Sequence, residues 1–365
     1  MTLHIFNPEH DIALASNLSN FTAPHAGRQL RNDLGFLPAL WAKDGDQILV
    51  GHEESAMKAF RRVCHRLSKL GPTDYSHPGN IKFPHWEHNI PTLGISSVQP
   101  WGWDRAIRRE LERMGVSEPL LPTAEQIEHI RQLSHRRTSA RLLPLLQMEG
   151  TVGDAFECTT VEQVTGLLQR YGRMVLKAPW SSSGRGVRFC DAMRLNKKEE
   201  IKDNPEEIVH KNWIANVLKT QGSIMAEPYY NNVKDFGMEF MADEDGHINY
   251  LGLSLFHTVN GAYVGNILAT ESVKREMISR YVSVELLDRI RKNIIGRLQL
   301  DGYVGPFGID MMVTKEGLHP CVEINLRRTM GHVALAISPT DDDIRGVMRV
   351  IYDGNHYKLK INKLR

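Results

Sequence analysis

Two carboxylates and an amide in the last third of the sequence have the side-chain types of a divalent-cation site. Asp310 lies in the apolar run GIDMM, and Glu323 and Asn325 lie in VEINLRR. Because side chains alternate along a strand, Glu323 and Asn325 share one face, and a hairpin turning near residues 315–317 would bring Asp310 opposite them. Carboxylate and amide oxygens are the ligands that Mg²⁺ takes beside phosphate oxygens. Pairing with nearby arginines is the alternative, although charges within apolar runs are costly to bury.

A lysine followed by a loop of small residues has the types needed to hold phosphate. The stretch KAPWSSSGRGVRF at 177–189 places Lys177 and a Ser/Gly loop between two predicted strands. Backbone N–H groups of such a loop can point towards an anion. The G-x-x-x-x-G-K-[ST] spacing of a P-loop is absent. An ordinary Ser/Gly hairpin turn therefore remains an alternative interpretation of this stretch.

The composition is that of a globular protein with no general preference for polyanions. The chain has 365 residues, of which 41% are apolar and 24% charged, with a formal net charge of +2. This length predicts two or three packed units. The small net charge gives no reason to expect a nucleic-acid partner. The basic clusters at 61–66 and 135–141 are typical of solvated helix faces.

The cysteines and the N-terminus indicate a reducing compartment. Cys64, Cys158, Cys190 and Cys321 are scattered without C-x-x-C spacing, which fits neither a disulfide framework nor a zinc site. The start MTLHIFNPEHDIALA lacks the basic region of a signal peptide. No segment approaches the roughly 20 apolar residues that span a bilayer. We therefore expect a cytoplasmic protein without a membrane span.

The first 120 residues alternate between strand and helix patterns. Short apolar runs at 3–6 and 47–51 predict strands, and helical periodicity follows at 53–71 and 104–115. This alternation is typical of an α/β unit with a mostly parallel sheet.

The remainder of the chain predicts an α+β arrangement with antiparallel hairpins. Thr123 with Gln126 and Thr160 with Gln163 have the spacing of capping boxes at two helix starts. Further patterns predict helices at 137–147, 206–222 and 284–300, a strand at 223–230, and hairpins at 235–256 and 307–325.

Taken in order, these motifs resemble those of the ATP-grasp superfamily. That family has a strand lysine, a loop of small residues, an apolar hinge with a glutamate, and an Asp followed by Glu-x-Asn. Here they stand as Lys177, the loop at 181–186, IMAEPYYNNVKDF at 224–236 and GID…EIN, within about residues 130–340. The resemblance implies an α/β N-terminal domain, and after it an α+β ATP-grasp fold whose two subdomains clasp ATP. The implied domains are 1–120, 121–222 with the phosphate lid, and 223–365 with the metal site.

The resemblance also implies roles for individual residues. Lys177 would contact the α- and β-phosphates, and Glu227 would face the adenine amino group beside Pro228 and Tyr229. Asp235 stands where the family usually has a ribose-binding Glu. The lid over the phosphates would comprise Ser181, Ser182, Ser183, Gly184, Arg185 and Gly186. Asp310, Glu323 and Asn325 would hold two Mg²⁺ ions, with Mn²⁺ as an alternative metal.

Two positions depart from the family pattern. The upstream phosphate-binding lysine is replaced by arginine in LSHRRTSARLL, where Arg137 and its neighbour Arg136 are both candidates. Arginine is permanently charged and can bind phosphate through two N–H groups. Many members carry an Arg two residues before the metal-binding Asp, and here that residue is Gly308. Arg327 and Arg328 are the candidates for the catalytic, charge-stabilising role.

The implied activity is that of a ligase. Such enzymes phosphorylate a carboxylate and let an amine or similar nucleophile attack the acylphosphate. A kinase or phosphotransferase on the same fold, a nucleotide-binding regulatory protein without turnover, and a chance set of motifs in an unrelated protein remain the alternatives.

The substrates themselves are not readable from the sequence. The polar loop after the first strand contributes Asn7, Glu9, His10 and Asp11, at the edge where α/β sheets bind ligands. Arg28, His257 and Asn260 are further candidates, although a polar turn explains the last two equally well. Small-molecule carboxylate and amine substrates are the expected partners, with a homodimer as an open alternative.

Overall fold

The computed structural model describes residues 1–73, 81–84, 94–181, 186–192, 205–259 and 262–364. In these ranges the chain forms four sheets, each covered by helices.

The N-terminal part contains a three-stranded parallel sheet. Its strand order is β2-β1-β3, and β1 pairs in parallel with both neighbours, which confirms the predicted parallel sheet. The strands are β1 (Thr2–Ile5), β2 (Gln47–Leu49) and β3 (Ser97–Pro100), and the helices are α1 (His10–Ser16), α2 (His25–Leu34), α3 (Glu53–Leu70) and α4 (Arg105–Arg113). Because parallel strands end at a common edge, the loop after β1 opens there.

A second sheet of order β4-β7-β5-β6 follows, with antiparallel pairing throughout. Its strands are β4 (Phe156–Cys158), β5 (Arg173–Lys177), β6 (Val187–Asp191) and β7 (Ile224–Pro228). Its helices are α5 (Ala124–Leu133), α6 (Arg137–Leu146), α7 (Val161–Tyr171) and α8 (Pro205–Gln221). Both predicted capping boxes start helices, at Thr123 and Thr160. The predicted lid residues Ser182, Ser183, Gly184 and Arg185 lie outside the described residues.

The third sheet carries the predicted metal hairpin. Its order is β13-β12-β8-β9, and all its pairings are antiparallel. The strands are β8 (Asn232–Ala242), β9 (Ile248–Ser254), β12 (Gly305–Thr314) and β13 (Leu318–Asn325), flanked by α9 (Glu271–Ser279) and α10 (Val284–Arg297). Phe236, Phe240 and Phe307 are fully buried at the centre of its core.

The fourth sheet was not foreseen from the sequence. Its order is β10-β11-β14-β15, formed by β10 (Phe256–Val259), β11 (Ala262–Leu268), β14 (Gly346–Tyr352) and β15 (Tyr357–Lys363), with α11 (Met330–Ala336) nearby. Leu359 and Ile361 of β15 share one apolar core with Phe60 and Leu67 of α3. The end of the chain therefore completes the core of the N-terminal part.

None of the helices in the described ranges combines the length and apolar character needed to cross a bilayer.

The aromatic centre of the third sheet should make a large contribution to stability. Phe240 is fully buried, and its ring stacks on Phe307 with a centroid distance of 5.2 Å. We expect Phe240→Ala to lower the free energy of unfolding by about 3–5 kcal/mol, because it leaves a cavity in a packed core. Chemical denaturation measures this loss. The control Val233→Ala shortens the side chain of a residue that is 46% exposed. A similar loss in this control would show that the aromatic centre makes no larger contribution to stability than an exposed residue.

Candidate functional site

The metal hairpin has the register that the sequence predicted. Asp310 of β12 lies directly opposite Glu323 of β13, and Asn325 lies opposite Gly308. The amide Nδ2 of Asn325 donates a hydrogen bond to Asp310 Oδ2 at 3.0 Å. The three oxygen-bearing side chains therefore occupy one face of the sheet.

The negative charges of the carboxylates on this face are not fully neutralised by neighbouring cations. Burial, together with the carboxylates of Glu323 and Glu239, raises the pKa of Asp310 to about 7. Carboxylate and amide oxygens grouped in this way are the donor set that Mg²⁺ prefers, and a bound cation would relieve the repulsion between the acids. The residues present therefore fit a divalent cation.

The predicted nucleotide lysine is joined to the predicted hinge glutamate. Lys177 ends β5, and its Nζ donates to Glu227 Oε2 on neighbouring β7 at 2.6 Å. Both residues are buried, with 7% and 9% of their surface exposed. The same Nζ lies 3.4 Å from the carbonyl oxygen of Val322, the residue before Glu323. The second and third sheets thus meet at the Lys177–Glu227 pair and the strand end that carries Glu323.

The two upstream arginines point to different partners. Arg136 donates to Glu323 Oε1 at 2.8 Å and to Ser181 Oγ at 2.7 Å. Arg137, the first residue of α6, pairs instead with Glu157 of β4 at 2.9 Å. Arg136 is therefore the arginine that faces both the metal hairpin and the start of the predicted lid.

The two described ends of the predicted lid lie close together. The N–H of Ala178 donates to the carbonyl oxygen of Gly186 at 2.8 Å. A Cβ on Gly186 would overlap the side chain of Ser181, so only glycine fits there beside Ser181. The β5–β6 pairing therefore continues to the base of the loop.

The hinge continues from β7 into β8. Pro228 ends β7 and is buried, and Tyr229 donates its N–H to the carbonyl of Arg173 at 3.0 Å. The Arg173 guanidinium lies 4.1 Å from the centre of the Tyr229 ring. Further on, Asp235 accepts hydrogen bonds from Asn232 at 2.9 Å and from the hydroxyl of Thr258.

His257 lies close to the hinge rather than in a polar turn. It is part of β10, and its Nδ1 lies 3.3 Å from Lys234 Nζ. Burial and the Lys234 charge lower the pKa of His257. The other candidate of this segment, Asn260, lies outside the described residues.

An ion pair joins the N-terminal loop to the metal hairpin. Arg327 donates from Nε and Nη2 to the two carboxylate oxygens of Asp11, at 2.9 and 2.8 Å. Arg327 also donates to Asn325 Oδ1 at 3.0 Å. Burial would raise the pKa of Asp11, but the Arg327 charge outweighs it and the pKa is lowered. The sequence named both residues without predicting this contact.

Arg328 lies against the tryptophans of the N-terminal part. Its guanidinium is 4.5 Å from the Trp41 ring centre. Its backbone N–H donates to the carbonyl of Trp101 at 2.9 Å. Burial lowers the pKa of Arg328 to about 10. Trp101 itself packs edge-on against Phe6. Within the described part of the chain, no carboxylate forms an ion pair with Arg328.

The remaining candidates of the N-terminal loop are held within that part of the molecule. Asn7 donates to the carbonyl of Gly102 at 2.8 Å, and His10 Nδ1 lies 3.4 Å from Asp104. Glu9 pairs with Arg31 at 2.8 Å, although burial still raises its pKa. Arg28 donates to the carbonyl of Ala23.

Sequence reasoning missed Glu239, a buried acid beside the metal hairpin. Glu239 of β8 lies opposite Gly308, which in turn lies opposite Asn325. A Cβ on Gly308 would lie 2.5 Å from Glu239 Oε2. The departure at position 308 thus has a steric reason. The signal was present in the sequence, since Glu239 interrupts the apolar run GMEFMA as Asp310 interrupts GIDMM.

The architecture was compared with those of known proteins. No protein-family model and no curated protein matches the sequence. Biotin carboxylase from Campylobacter jejuni has a similar structure, with a TM-score of 0.50 and 12% identity over 96% of this chain and 75% of that chain. The chain has the ATP-grasp fold.

Two further solved structures are similar at slightly lower scores. N5-carboxyaminoimidazole synthetase from Staphylococcus aureus has a TM-score of 0.49 at 12% identity, covering 97% of this chain and 83% of that chain. The biotin carboxylase domain of Hydrogenobacter thermophilus 2-oxoglutarate carboxylase has 0.49 at 15% identity, covering 96% and 74%. Within this ATP-grasp fold, the predicted α/β start and α+β remainder are both confirmed.

The raised pKa of Asp310 predicts how the metal-free protein responds to pH. Its folded-state pKa of about 7 lies above the ordinary 3.8, so the folded chain binds more protons than the unfolded chain between those values. This contribution to stability therefore falls as pH rises through that window. We expect Asp310→Asn, with a chelator present, to be more stable than the unchanged protein near pH 8, by on the order of 2 kcal/mol.

A surface acid provides a control whose contribution to stability changes with pH in the opposite direction. The hydrogen bond from Arg275 holds the pKa of Asp288 below its usual range. Asp288→Asn should therefore lose stability near pH 8 and approach the unchanged protein in acid. Thermal unfolding across the pH range measures both variants. If Asp310→Asn is less stable than the unchanged protein near pH 8, then neighbouring groups stabilise the negative charge of Asp310 in the folded chain, which would contradict the prediction.

Proposed function

We propose that the chain is an ATP- and Mg²⁺-dependent ligase that activates a small-molecule carboxylate for attack by an amine. The observation that carries this proposal is the placement of Asp310, Glu323 and Asn325 on one strand face, next to the Lys177–Glu227 pair. This arrangement lies in an ATP-grasp fold, and the similar biotin carboxylase from Campylobacter jejuni was crystallised as a β-γ-ATP complex. Phosphoryl transfer needs positioned cations rather than a side-chain nucleophile.

The nucleotide would lie between the second and third sheets. Lys177 would bind the α- and β-phosphates, and Arg136 would bind phosphate from the side of Ser181. Glu227 would accept from the adenine amino group, and the backbone at Pro228 and Tyr229 would pair with the adenine edge. Asp235 would face the ribose. The lid from Ser181 to Gly186 would close over the β- and γ-phosphates.

The metal-binding residues would be Asp310, Glu323 and Asn325. Two Mg²⁺ ions held there would neutralise charge on the transferring phosphoryl group. Arg136, which donates to Glu323, keeps that carboxylate turned towards the second sheet. Arg327 holds Asn325 in place through its Oδ1. The surrounding side chains thus fix the orientation of the oxygen donors.

The reaction would proceed in two steps. A carboxylate oxygen of the first substrate attacks the γ-phosphorus of ATP, and ADP leaves. The amine nitrogen then attacks the acyl carbon, the bond from that carbon to the phosphate oxygen breaks, and inorganic phosphate leaves while the nitrogen releases a proton. A closed lid would keep water from the acylphosphate.

The two arginines after the metal hairpin would have unequal roles. Arg327 is engaged by Asp11 and would fix the N-terminal loop against the site. Arg328 is partly buried and has no ion-paired carboxylate among the described residues, so its charge is available to an anionic group. We assign to Arg328 the stabilisation of negative charge on the carboxylate substrate and on the tetrahedral intermediate.

Hydroxylamine trapping tests this proposal directly. Hydroxylamine is an uncharged nucleophile that converts acylphosphates into coloured hydroxamates without an amine substrate. We expect ADP release and hydroxamate formation with Mg²⁺, ATP and a carboxylate from a screened pool, and a fall of about 100-fold or more for Glu323→Gln. ADP release that never requires a carboxylate would refute the ligase reaction.

The different partners of Arg136 and Arg137 predict different kinetic effects. Arg136 contacts both Glu323 and Ser181, whereas Arg137 pairs with Glu157. Arg136→Ala should therefore raise the KM for ATP by about tenfold or more, with a much smaller change for Arg137→Ala. Steady-state kinetics of ADP release measure both. A larger effect at position 137 would reverse the assignment.

A further inference from the structure

The exposed face of α3 carries a dense row of basic side chains. Of the exposed residues from 58 to 69, only Ser68 is not basic, and the others are Lys58, Arg61, Arg62, His65, Arg66 and Lys69. Residues three and four apart lie on one face of a helix, so these side chains form a single row, which we call the basic stripe. At 1.5 Å per residue the basic stripe is about 16 Å long.

The opposite face of α3 is fixed in the interior of the protein. Phe60, Val63 and Leu67 belong to the apolar core that α3 shares with β15. The helix therefore cannot turn the basic stripe inwards, and its apolar face is not free to dock elsewhere. A partner of α3 must be recognised by the charges of the basic stripe.

No acid of the described chain neutralises the basic stripe. In the ranges that the structure describes, none of its side chains forms an ion pair or a hydrogen bond. Arginines on other helices do have such partners, since Arg108 pairs with Glu112 and Arg275 pairs with Asp288. The contacts within the described chain therefore give no reason for this concentration of charge.

The basic stripe also sets like charges against one another. Lys58 and Arg62 are four residues apart, as are Arg62 and Arg66, so that each pair shares one side of the helix. Like charges at this spacing destabilise a helix. Binding of an acidic partner would relieve this repulsion.

The side chains of the basic stripe border an open groove. Its volume is about 720 Å³, and its lining consists of the basic stripe together with Glu54 and Met57. Glu54 lies in the first turn of α3, ahead of the basic residues. The groove is therefore basic along most of its length and acidic at one end.

These features do not suit a nucleic acid or a lipid surface. None of the residues that line the groove is Phe, Tyr or Trp, so bases have no ring on which to stack. Glu53 and Glu54 would repel phosphate at the helix N-terminus, where anions otherwise bind best. Among the described residues of α3 there is no exposed large apolar side chain that could enter a bilayer.

We propose that the basic stripe docks an acidic helical segment of a partner protein. A helix with glutamates at i, i+4 spacing repeats its charge about once per turn, as the basic stripe does, so that the two rows match along their length. A basic residue at one end of the partner segment would pair with Glu54 and fix the register. This interaction goes beyond the proposed ligase reaction and does not depend on it.

Synthetic peptides test the interaction by fluorescence anisotropy. The probe is an alanine-based peptide of about 16 residues, long enough to be partly helical, with glutamates at i, i+4 spacing and a lysine at one end. We expect it to bind the full chain, and the same peptide with glutamines in place of the glutamates not to bind. Affinity should fall about tenfold or more between about 50 and 300 mM NaCl, because the contacts are exposed to solvent.

Two double variants locate the binding site. Arg62→Glu with Arg66→Glu reverses the centre of the basic stripe and should weaken peptide binding about 30-fold or more. The control is Arg113→Glu with Arg289→Glu, which makes the same change of charge at exposed positions on α4 and α10 and should weaken binding less than about threefold. An equal loss in both variants would show that only the net charge matters and would overturn the inference. Melting temperatures verify that both variants fold, and if the first does not, Arg62→Gln with Arg66→Gln removes the charge without reversing it and should also weaken binding.

The terminal lysine of the peptide separates a docked helix from diffuse attraction. A peptide with alanine in place of that lysine is more negative, so diffuse attraction would make it bind more tightly. We expect it to bind more weakly, and we expect Glu54→Gln to abolish the difference between the two peptides. Tighter binding of the alanine peptide would contradict the docking.

Other occupants of the groove are also distinguished. Tighter binding of an oligonucleotide or of phosphatidylserine vesicles than of the acidic peptide, lost in Arg62→Glu with Arg66→Glu, would overturn the inference in favour of that ligand. A dimer of the unchanged chain that dissociates in this variant, measured by sedimentation, would show that a second copy occupies the groove and would also overturn it. Neither ADP release nor hydroxamate formation enters the test, so its outcome and that of the ligase proposal are independent.

Discussion

The pairing of β12 with β13 on one side and β8 on the other is the constraint on which the site depends. Side chains at paired positions point to the same face, so one central strand brings acids from three strands together. Asp310 stands opposite Glu323, and Glu239 is one position along the same face. Burial, together with the repulsion from Glu323 and Glu239, raises the pKa of Asp310. The folded chain thus holds an unfavourable arrangement of acids that a bound cation would relieve.

The surrounding charges are arranged in pairs that each join distant parts of the chain. Arg136 reaches Glu323, Arg327 reaches Asp11, and Lys177 reaches Glu227. Buried ion pairs of this kind contribute little net stability, since desolvation offsets most of the attraction. Their effect here is geometrical. They fix the second sheet and the N-terminal loop relative to the metal hairpin and leave Arg328 without a carboxylate partner among the described ion pairs. Glu239 lies 3.0 Å from His332 Nδ1.

The steric fit at Gly308 connects these electrostatics to the sequence. A family arginine at this position would occupy the space that the Glu239 carboxylate fills. The adjacent pair of Asp310 and Glu323 keeps its register beside this carboxylate.

Local patterns in the sequence determined the elements and the hairpin register. The capping boxes at Thr123 and Thr160, the parallel start and the facing of Asp310 and Glu323 follow from short-range periodicity and turn chemistry. The fourth sheet was missed because β14 and β15 find their apolar partners in α3, nearly 300 residues earlier. No local pattern reports a partner at that separation.

The sequence by itself therefore determined the fold class and the residue types of the site, whereas the tertiary structure decided which of them meet. It placed Arg137 at the upstream phosphate position with Arg136 as the neighbouring candidate, and the structure gives the two different partners, Glu157 and Glu323. Neighbouring helical residues point about 100° apart, so these partners are decided only once β4 and β13 are in place. It named Asp11 and Arg327 without joining them, since they are 316 positions apart in the chain. It did not single out Glu239, because the position of Glu239 opposite Gly308 follows from strand pairing, which is a long-range contact.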